Sequence, residues 1–211
     1  MLDRDVTTKR LIEQIATKRP DLVEFRLDKL SDNRVLKEIA EKKMFPAIAT
    51  DKGNRDPKET RELLLAAVQS GFEYVDVDLN SSLVKTLVPE LKSLGAHVIV
   101  SWHDYAGTPP QSQLNEVLSS ERKVGADTCK IVTTAHHPAD NLTILEFLQT
   151  KSSEDRVICF AMGLLGRPSR ILSPLFGSEF AFAALSEDTK TADGQLSIDG
   201  LRNAWQLLGI Q

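Results

Sequence analysis

Cysteine is scarce in this 211-residue chain, which has only two, Cys129 and Cys159. They lie far apart inside apolar runs, with no CxxC and no Cys/His spacing suited to zinc. That excludes a disulfide scaffold and a zinc ribbon, and leaves the expectation of two small buried hydrophobes in a reducing compartment. An excess of charge of one sign is missing too. The 26 basic and 30 acidic residues leave a formal net charge of −4, which gives no electrostatic reason to expect nucleic acid or an anionic membrane as partner. No apolar run approaches the roughly 20 residues that span a bilayer, and the start, Met1-Leu-Asp-Arg-Asp5, lacks the apolar core of a signal peptide. The expectation is a cytoplasmic protein forming one domain over residues 1–211, with a small molecule as ligand.

What is present is alternation. Short β-rich runs recur at Asp21 to Asp28, Phe45 to Asp51, Glu73 to Leu79, His97 to His103, Asp127 to Thr133, Arg156 to Met162 and Glu179 to Leu185. Between them Lys58 to Ser70, Ser82 to Leu94, Gln111 to Val124 and Asn141 to Lys151 carry leucine and alanine at helical spacing, and Leu201 to Leu208 does so near the end. Pro57, Asp140 and Asp199 suit helix starts, whereas Gly71, Gly95 and Gly209 suit helix ends. Strands alternating with helices predict parallel pairing, in a barrel or in an open doubly wound sheet.

The polar faces of the strands decide between those two. Residues two apart share a face, so Leu22, Glu24, Arg26 and Asp28 oppose Val23, Phe25 and Leu27. Asp76 and Asp78 likewise oppose Val75, Val77 and Leu79, Ser101 and His103 oppose Val100 and Trp102, and Thr128 and Lys130 oppose Cys129 and Ile131. A sheet covered by helices on both faces is apolar on both; these strands are apolar on one. A parallel (β/α)8-type barrel explains the pattern, with helices outside and polar strand ends lining a site. No Gly-rich phosphate loop follows any predicted strand, so the nucleotide-binding open sheet loses its main support. Seven strands are predicted, and the opening helical segment, Thr7 to Lys18, has none before it. The first strand is therefore expected to be reduced to a few residues around Leu2, or missing.

Lys130 is the most informative residue. It puts an ammonium in an apolar strand, where burial disfavours the charged form and favours a nucleophilic amine. A pair with Glu24 or Asp78, or snorkelling to the rim, explains it equally. His103 ends the preceding strand, where an imidazole can shuttle protons or merely satisfy the structure. Glu24 and Arg26 are either a mutual ion pair or an orienting carboxylate beside a substrate-binding guanidinium. His136 and His137, beside Pro138, read as loop residues. Met162 to Arg170 follows an apolar strand with free amides and two arginines, which suit an anionic group. Ser186 to Gln195 is polar and reads as a lid or an ordinary loop.

Taken in order, Glu24-Phe-Arg-Leu-Asp28, Ser101-Trp-His-Asp-Tyr-Ala-Gly-Thr-Pro109, Gly125-Ala-Asp-Thr-Cys-Lys-Ile131, Met162-Gly with Ser169-Arg170, Phe176-Gly-Ser178 and Ala192-Asp-Gly-Gln195 resemble the type I 3-dehydroquinate dehydratases over nearly the whole chain. The resemblance implies that Lys130 forms an imine with the ketone of 3-dehydroquinate, that His103 moves the protons, and that Glu24 orients His103. It also implies that Glu24, Arg26, Lys52, Arg170, Thr191 and Gln195 bind substrate, with no metal or organic cofactor, in a homodimer. The chain departs from the family at Lys52, where an arginine is usual, at Asp56, near a usual glutamate, and at Thr191-Ala-Asp-Gly-Gln195, which lacks the usual proline. Weaker binding or a more mobile lid is expected, in an enzyme that is still active. Two alternatives remain: another Schiff-base barrel of the class I aldolase type, and a non-catalytic barrel that binds a small acid.

Overall fold

The computed structural model describes residues 4–30, 34–152 and 154–210. These divide into two compact units, one of residues up to 100 with 124–127 and one of residues 101–123 with those from 128 onward. Along the sheet each strand's neighbour is the next in sequence.

In the first unit α1 (Arg4–Thr17) precedes β1 (Val23–Arg26), α2 (Arg34–Lys42), β2 (Ala47–Thr50), α3 (Pro57–Ser70), β3 (Tyr74–Asp78) and α4 (Val84–Ser93). β1 pairs parallel with β2, placing Glu24 opposite Ile48 and Arg26 opposite Thr50, and β2 pairs parallel with β3, placing Thr50 opposite Asp76. Alternation sends Phe25, Ala47, Ala49, Val75 and Val77 into the core. Each helix contributes residues three or four apart: Ile12 and Ile15 from α1, Leu36 and Ile39 from α2, and Val84, Leu87, Val88 and Leu91 from α4. The punctuation of α3 matches its sequence. Asp56 caps it by accepting from Lys58 N at 2.8 Å, Pro57 stands in the first turn, and Gly71 ends it at φ 111°, a conformation that costs a glycine nothing.

β4 (His97–His103) has its first residues in this unit, where His97 N donates to Glu73 O at 2.9 Å. Its last residues belong to the second unit, where Asp104 N donates to Val132 O at 2.8 Å. That unit continues through α5 (Gln111–Lys123), β5 (Thr128–Thr134), α6 (Asp140–Gln149), β6 (Val157–Met162), α7 (Arg167–Leu172) and α8 (Ile198–Leu207). β5 and β6 are parallel, with Lys130 opposite Ile158 and Val132 opposite Phe160. Among the described residues no helix is long and apolar enough to cross a membrane.

Three differences from the sequence-based expectation have physical causes. Between the first two strands α2 is a helix that the leucine and alanine spacing elsewhere did not flag. The last helix starts at Ile198, because Ser197 caps it by accepting from Gly200 N. Finally, Glu179 to Leu185 is not a strand. In place of a ladder its backbone has isolated bridges beside it, Val157–Ser178 to the last strand and Ala184–Ser197 to the residue before α8. The Ser178 hydroxyl accepts from Cys159 N and donates to Phe180 O, both at 3.3 Å, so a side chain takes a bond that a ladder would use. The strand remnant expected around Leu2 lies outside the described residues.

Candidate active site

In the second unit, alternation puts Lys130 and Val132 of β5 on one face with Ile158, Phe160 and Met162 of β6. Phe180 and Phe182 pack onto the Val132, Ile158 and Phe160 cluster. Lys130 is thereby 5% exposed, and its Nζ lies 4.2 Å from the centroid of the Phe182 ring. An ammonium buried among apolar groups loses hydration, and a ring face returns part of that loss.

His103 is the last residue of β4, with the Tyr105 ring stacked on it at 6.1 Å and 16°. The turn after it is tied to β5. Asp104 Oδ1 accepts from Ala106 N and Gly107 N, Thr134 Oγ1 donates to Asp104 O at 2.8 Å, and Thr108 Oγ1 bonds Thr133 Oγ1 at 2.8 Å and donates to Thr134 O. His103 therefore stands at the end of a strand held beside the one that carries Lys130.

Arg170 sits in α7, 4% exposed, with its Cζ 4.4 Å from the Phe160 centroid. Its Nε is buried with no hydrogen-bond partner among the described residues, and burial pulls its pKa down to about 10. Buried polar groups are ordinarily satisfied, so an Nε without a partner among the described residues leaves this guanidinium able to take a further acceptor. Its neighbour Ser169 fixes it there. Ser169 Oγ accepts from Ala161 N at 2.9 Å and donates to Gly166 O, while Ser169 N donates to Asn141 Oδ1, and Asn141 Nδ2 donates to Leu165 O. The segment 191–195 closes on itself where Gln195 Oε1 accepts from Thr191 N at 2.8 Å and Thr191 Oγ1 at 3.3 Å. It docks through Gly163 N, which donates to Asp193 O at 3.1 Å.

In the first unit, Arg26 donates from Nε and Nη2 to the two oxygens of Asp28 at 2.8 and 2.9 Å. Burial alone would lower its pKa; the Asp28 bonds and charge, with the charges of Glu24 and Asp76, outweigh burial and raise it. Burial would raise Asp28 in turn, but the Arg26 bonds and charge hold it below the usual carboxylate range. Glu24 Oε1 accepts from Thr50 Oγ1 at 2.9 Å. Lys52 Nζ lies 3.1 Å from Asp76 Oδ1 and 3.4 Å from Asp78 Oδ2. Asp56, near a usual glutamate of the resemblance, is occupied in capping α3. His136 and His137 are loop residues whose backbone N–H groups donate to Asp140 Oδ2.

Sequence reasoning did not single out Phe182, Asn141 or Ser169 for a role. The period-two pattern of Glu179 to Leu185 puts Phe180 and Phe182 on one face, which was the available signal for the aromatic pair. Nothing in the sequence pointed to Asn141, whose bonds reach 24 and 28 residues along the chain.

Parallel strands alternating with helices, carrying a buried lysine, a strand-end histidine and a buried arginine, define an α/β enzyme of the parallel β/α-barrel class. The family model for type I 3-dehydroquinase matches residues 3–211. A 3-dehydroquinate dehydratase of Pyrococcus abyssi is 33% identical over 207 residues, covering 95% of this chain and 94% of its own. One from Methanococcus maripaludis is 31% identical over 217 residues, covering 99% and 97%. Among solved structures, the 3-dehydroquinate dehydratase from Geobacillus kaustophilus HTA426 matches with a TM-score of 0.87 at 25% identity, over 97% of this chain and 87% of that one. The chain belongs to the type I 3-dehydroquinase family; it is an enzyme of the 3-dehydroquinate dehydratase type, a carbon–oxygen lyase. The non-catalytic and aldolase alternatives fall with that membership.

Proposed function

We propose that the enzyme converts 3-dehydroquinate to 3-dehydroshikimate and water through an imine on Lys130, the third step of aromatic amino acid biosynthesis. The observation that carries this is Lys130 itself, a lysine 5% exposed on an aromatic face. Lys130 Nζ adds to the ketone carbon, and the carbinolamine loses water to give the iminium. The iminium withdraws electrons from the adjacent carbon, so a modest base, His103, suffices to take its proton. The enamine then expels the hydroxyl of the next carbon, which leaves as water with a proton from the same imidazole. Hydrolysis of the imine frees the amine, so the net reaction removes one water from the substrate.

Arg170 receives the substrate carboxylate, because among the described residues its buried Nε has no hydrogen-bond partner and it matches a carboxylate in planar geometry. Gln195 and Thr191 close over the substrate. Glu24 acts as a catalytic and substrate-binding carboxylate, and Arg26 and Lys52 bind substrate hydroxyls, roles that rest on the resemblance. The enzyme works without metal or organic cofactor, as a cytoplasmic homodimer built from one catalytic domain.

Borohydride reduction in the presence of 3-dehydroquinate, followed by peptide mass mapping, tests the imine. A stable adduct on Lys130, lost in Lys130→Ala, is expected. Dehydration without any adduct would overturn the mechanism. His103→Ala should still form the imine and scarcely eliminate water; normal turnover by that variant would remove His103 from the proton transfers.

A further inference from the structure

The geometry points to Phe182 as a positioning residue whose ring face holds the Lys130 nitrogen and stabilises the positive charge that stays on that nitrogen in the iminium. This rests on the imine reading above.

The ring is fixed by packing. Phe182 meets Phe180 at 5.4 Å and 52° and Phe160 at 6.2 Å and 50°, tilted arrangements that aromatic quadrupoles favour. The backbone that carries it is bonded to its neighbours near the two ends, where Glu179 N donates to Val157 O and Ala184 N to Leu196 O, both at 2.8 Å. Its orientation therefore comes from its aromatic neighbours. The same slab seats a second cation, Arg170, over Phe160. Among the described residues, Lys130 on β5 and Arg170 on α7 lie over these rings, and His103 ends the strand beside β5. Glu179, at the start of the segment, accepts from Thr128 Oγ1 and pairs with Arg156.

A ring face attracts a cation and offers a neutral amine far less. Along the reaction the nitrogen is cationic as ammonium and as iminium, and neutral in the attacking amine, the carbinolamine and the enamine. Phe182 thus favours the iminium, the species from which the proton is taken, and does so from a preorganised position. Its removal should act in two ways at once. Less of the bound substrate stands as iminium, so the flux to proton abstraction falls, and the acid limb of imine formation moves to lower pH because the ammonium is less stable too.

The test compares the wild type with Phe182→Leu, Phe182→Tyr and a protein carrying 3,4,5-trifluorophenylalanine at 182, in which the ring keeps its shape and loses most of its quadrupole. Steady-state kinetics and borohydride trapping with 3-dehydroquinate are followed across pH. Phe182→Leu is expected to lower kcat about 5- to 30-fold, with a smaller change in KM, and to move the acid limb down by about 0.5–1.5 pH units. Phe182→Tyr restores both. The trifluoro protein falls between Phe and Leu at unchanged Tm, which a purely structural role would not produce, and it decides the question even if Phe182→Leu folds poorly. A trifluoro protein with wild-type kcat and pH profile overturns the role of Phe182. Absence of a borohydride adduct in the wild type would instead sink the imine reading, so the two failures are distinguishable.

Discussion

Replacing Gly194 by alanine tests whether the 191–195 segment must dock for substrate to bind. Gly194 has φ +75°, and a Cβ added there would lie 2.0 Å from Gly163 O and 2.6 Å from Gly163 C. Both atoms are backbone, so no side chain can swing aside to make room. The left-handed conformation costs a non-glycine residue about 1 kcal/mol. Pushing the segment off Gly163 also breaks the bond from Gly163 N to Asp193 O, a loss of about 1 kcal/mol. Together these disfavour the docked segment by about 2 kcal/mol, or about 30-fold in population. If Gln195 and Thr191 contact substrate only when docked, kcat/KM falls by that factor, mostly through KM. The chemistry at Lys130 should survive, so trapping at saturating substrate still labels it. Tm should move little, because a surface segment undocks locally without unfolding the core. Steady-state kinetics with 3-dehydroquinate, read by the ultraviolet absorbance of the conjugated product, supply the measurement. A Gly194→Ala protein with wild-type kcat/KM would show that docking against Gly163 has no part in binding.

Arg170→Met should lower kcat/KM by about 100-fold or more by removing the cation for the substrate carboxylate. The same change should raise Tm by a few degrees, since the fold no longer buries an uncompensated charge; a variant that lost stability and kept affinity would contradict both halves. Asp28→Asn removes a carboxylate held below its usual pKa by Arg26. A lowered folded pKa contributes stability above the unfolded value of about 3.9 that is lost as pH falls through the folded one. The Tm gap between wild type and Asp28→Asn should therefore be widest near neutral pH and close toward pH 3, and a gap that widened on acidification would refute the pairing. Burial, with the Glu121 charge, pushes the Cys129 thiol up to about 12, and burial raises Cys159 as well. Thiol reagents at pH 8 should label neither cysteine in the native protein and both after unfolding, and labelling of either without unfolding would refute their burial.

Much of the fold was legible because it follows from periodicity. Six of the seven predicted strand runs coincide with the six strands to within two residues at either end, and the alternation within them assigns the buried faces. Composition misled where a side chain competed with the backbone. Glu179 to Leu185 is β-rich, yet the Ser178 hydroxyl takes the Cys159 N–H that a seventh strand would have bonded, and no propensity scale contains that contact. The helix α2 went unflagged although Leu36 and Ile39 carry its buried face, since two apolar positions make a weak period.

The site divides along the same line. Lys130 was legible because a charge inside an apolar run is visible in one dimension. The partners of Arg26 were not. Alternation put Glu24, Arg26 and Asp28 on one face, and the sequence offered Glu24 as the ion-pair partner, whereas a 3-10 turn over Leu27–Lys29 directly after β1 brings both Asp28 oxygens to the guanidinium. That contrast also separates the cations by role. Arg26 and Lys52 already face carboxylates, Asp28 in one case and Asp76 with Asp78 in the other. A cation so compensated gains little from an additional carboxylate, but its remaining donors suit neutral hydroxyls. Arg170 has a ring face and, among the described residues, a buried Nε without a hydrogen-bond partner. It has the most to gain from a negative charge, which is why the proposed mechanism gives it the carboxylate end of the substrate.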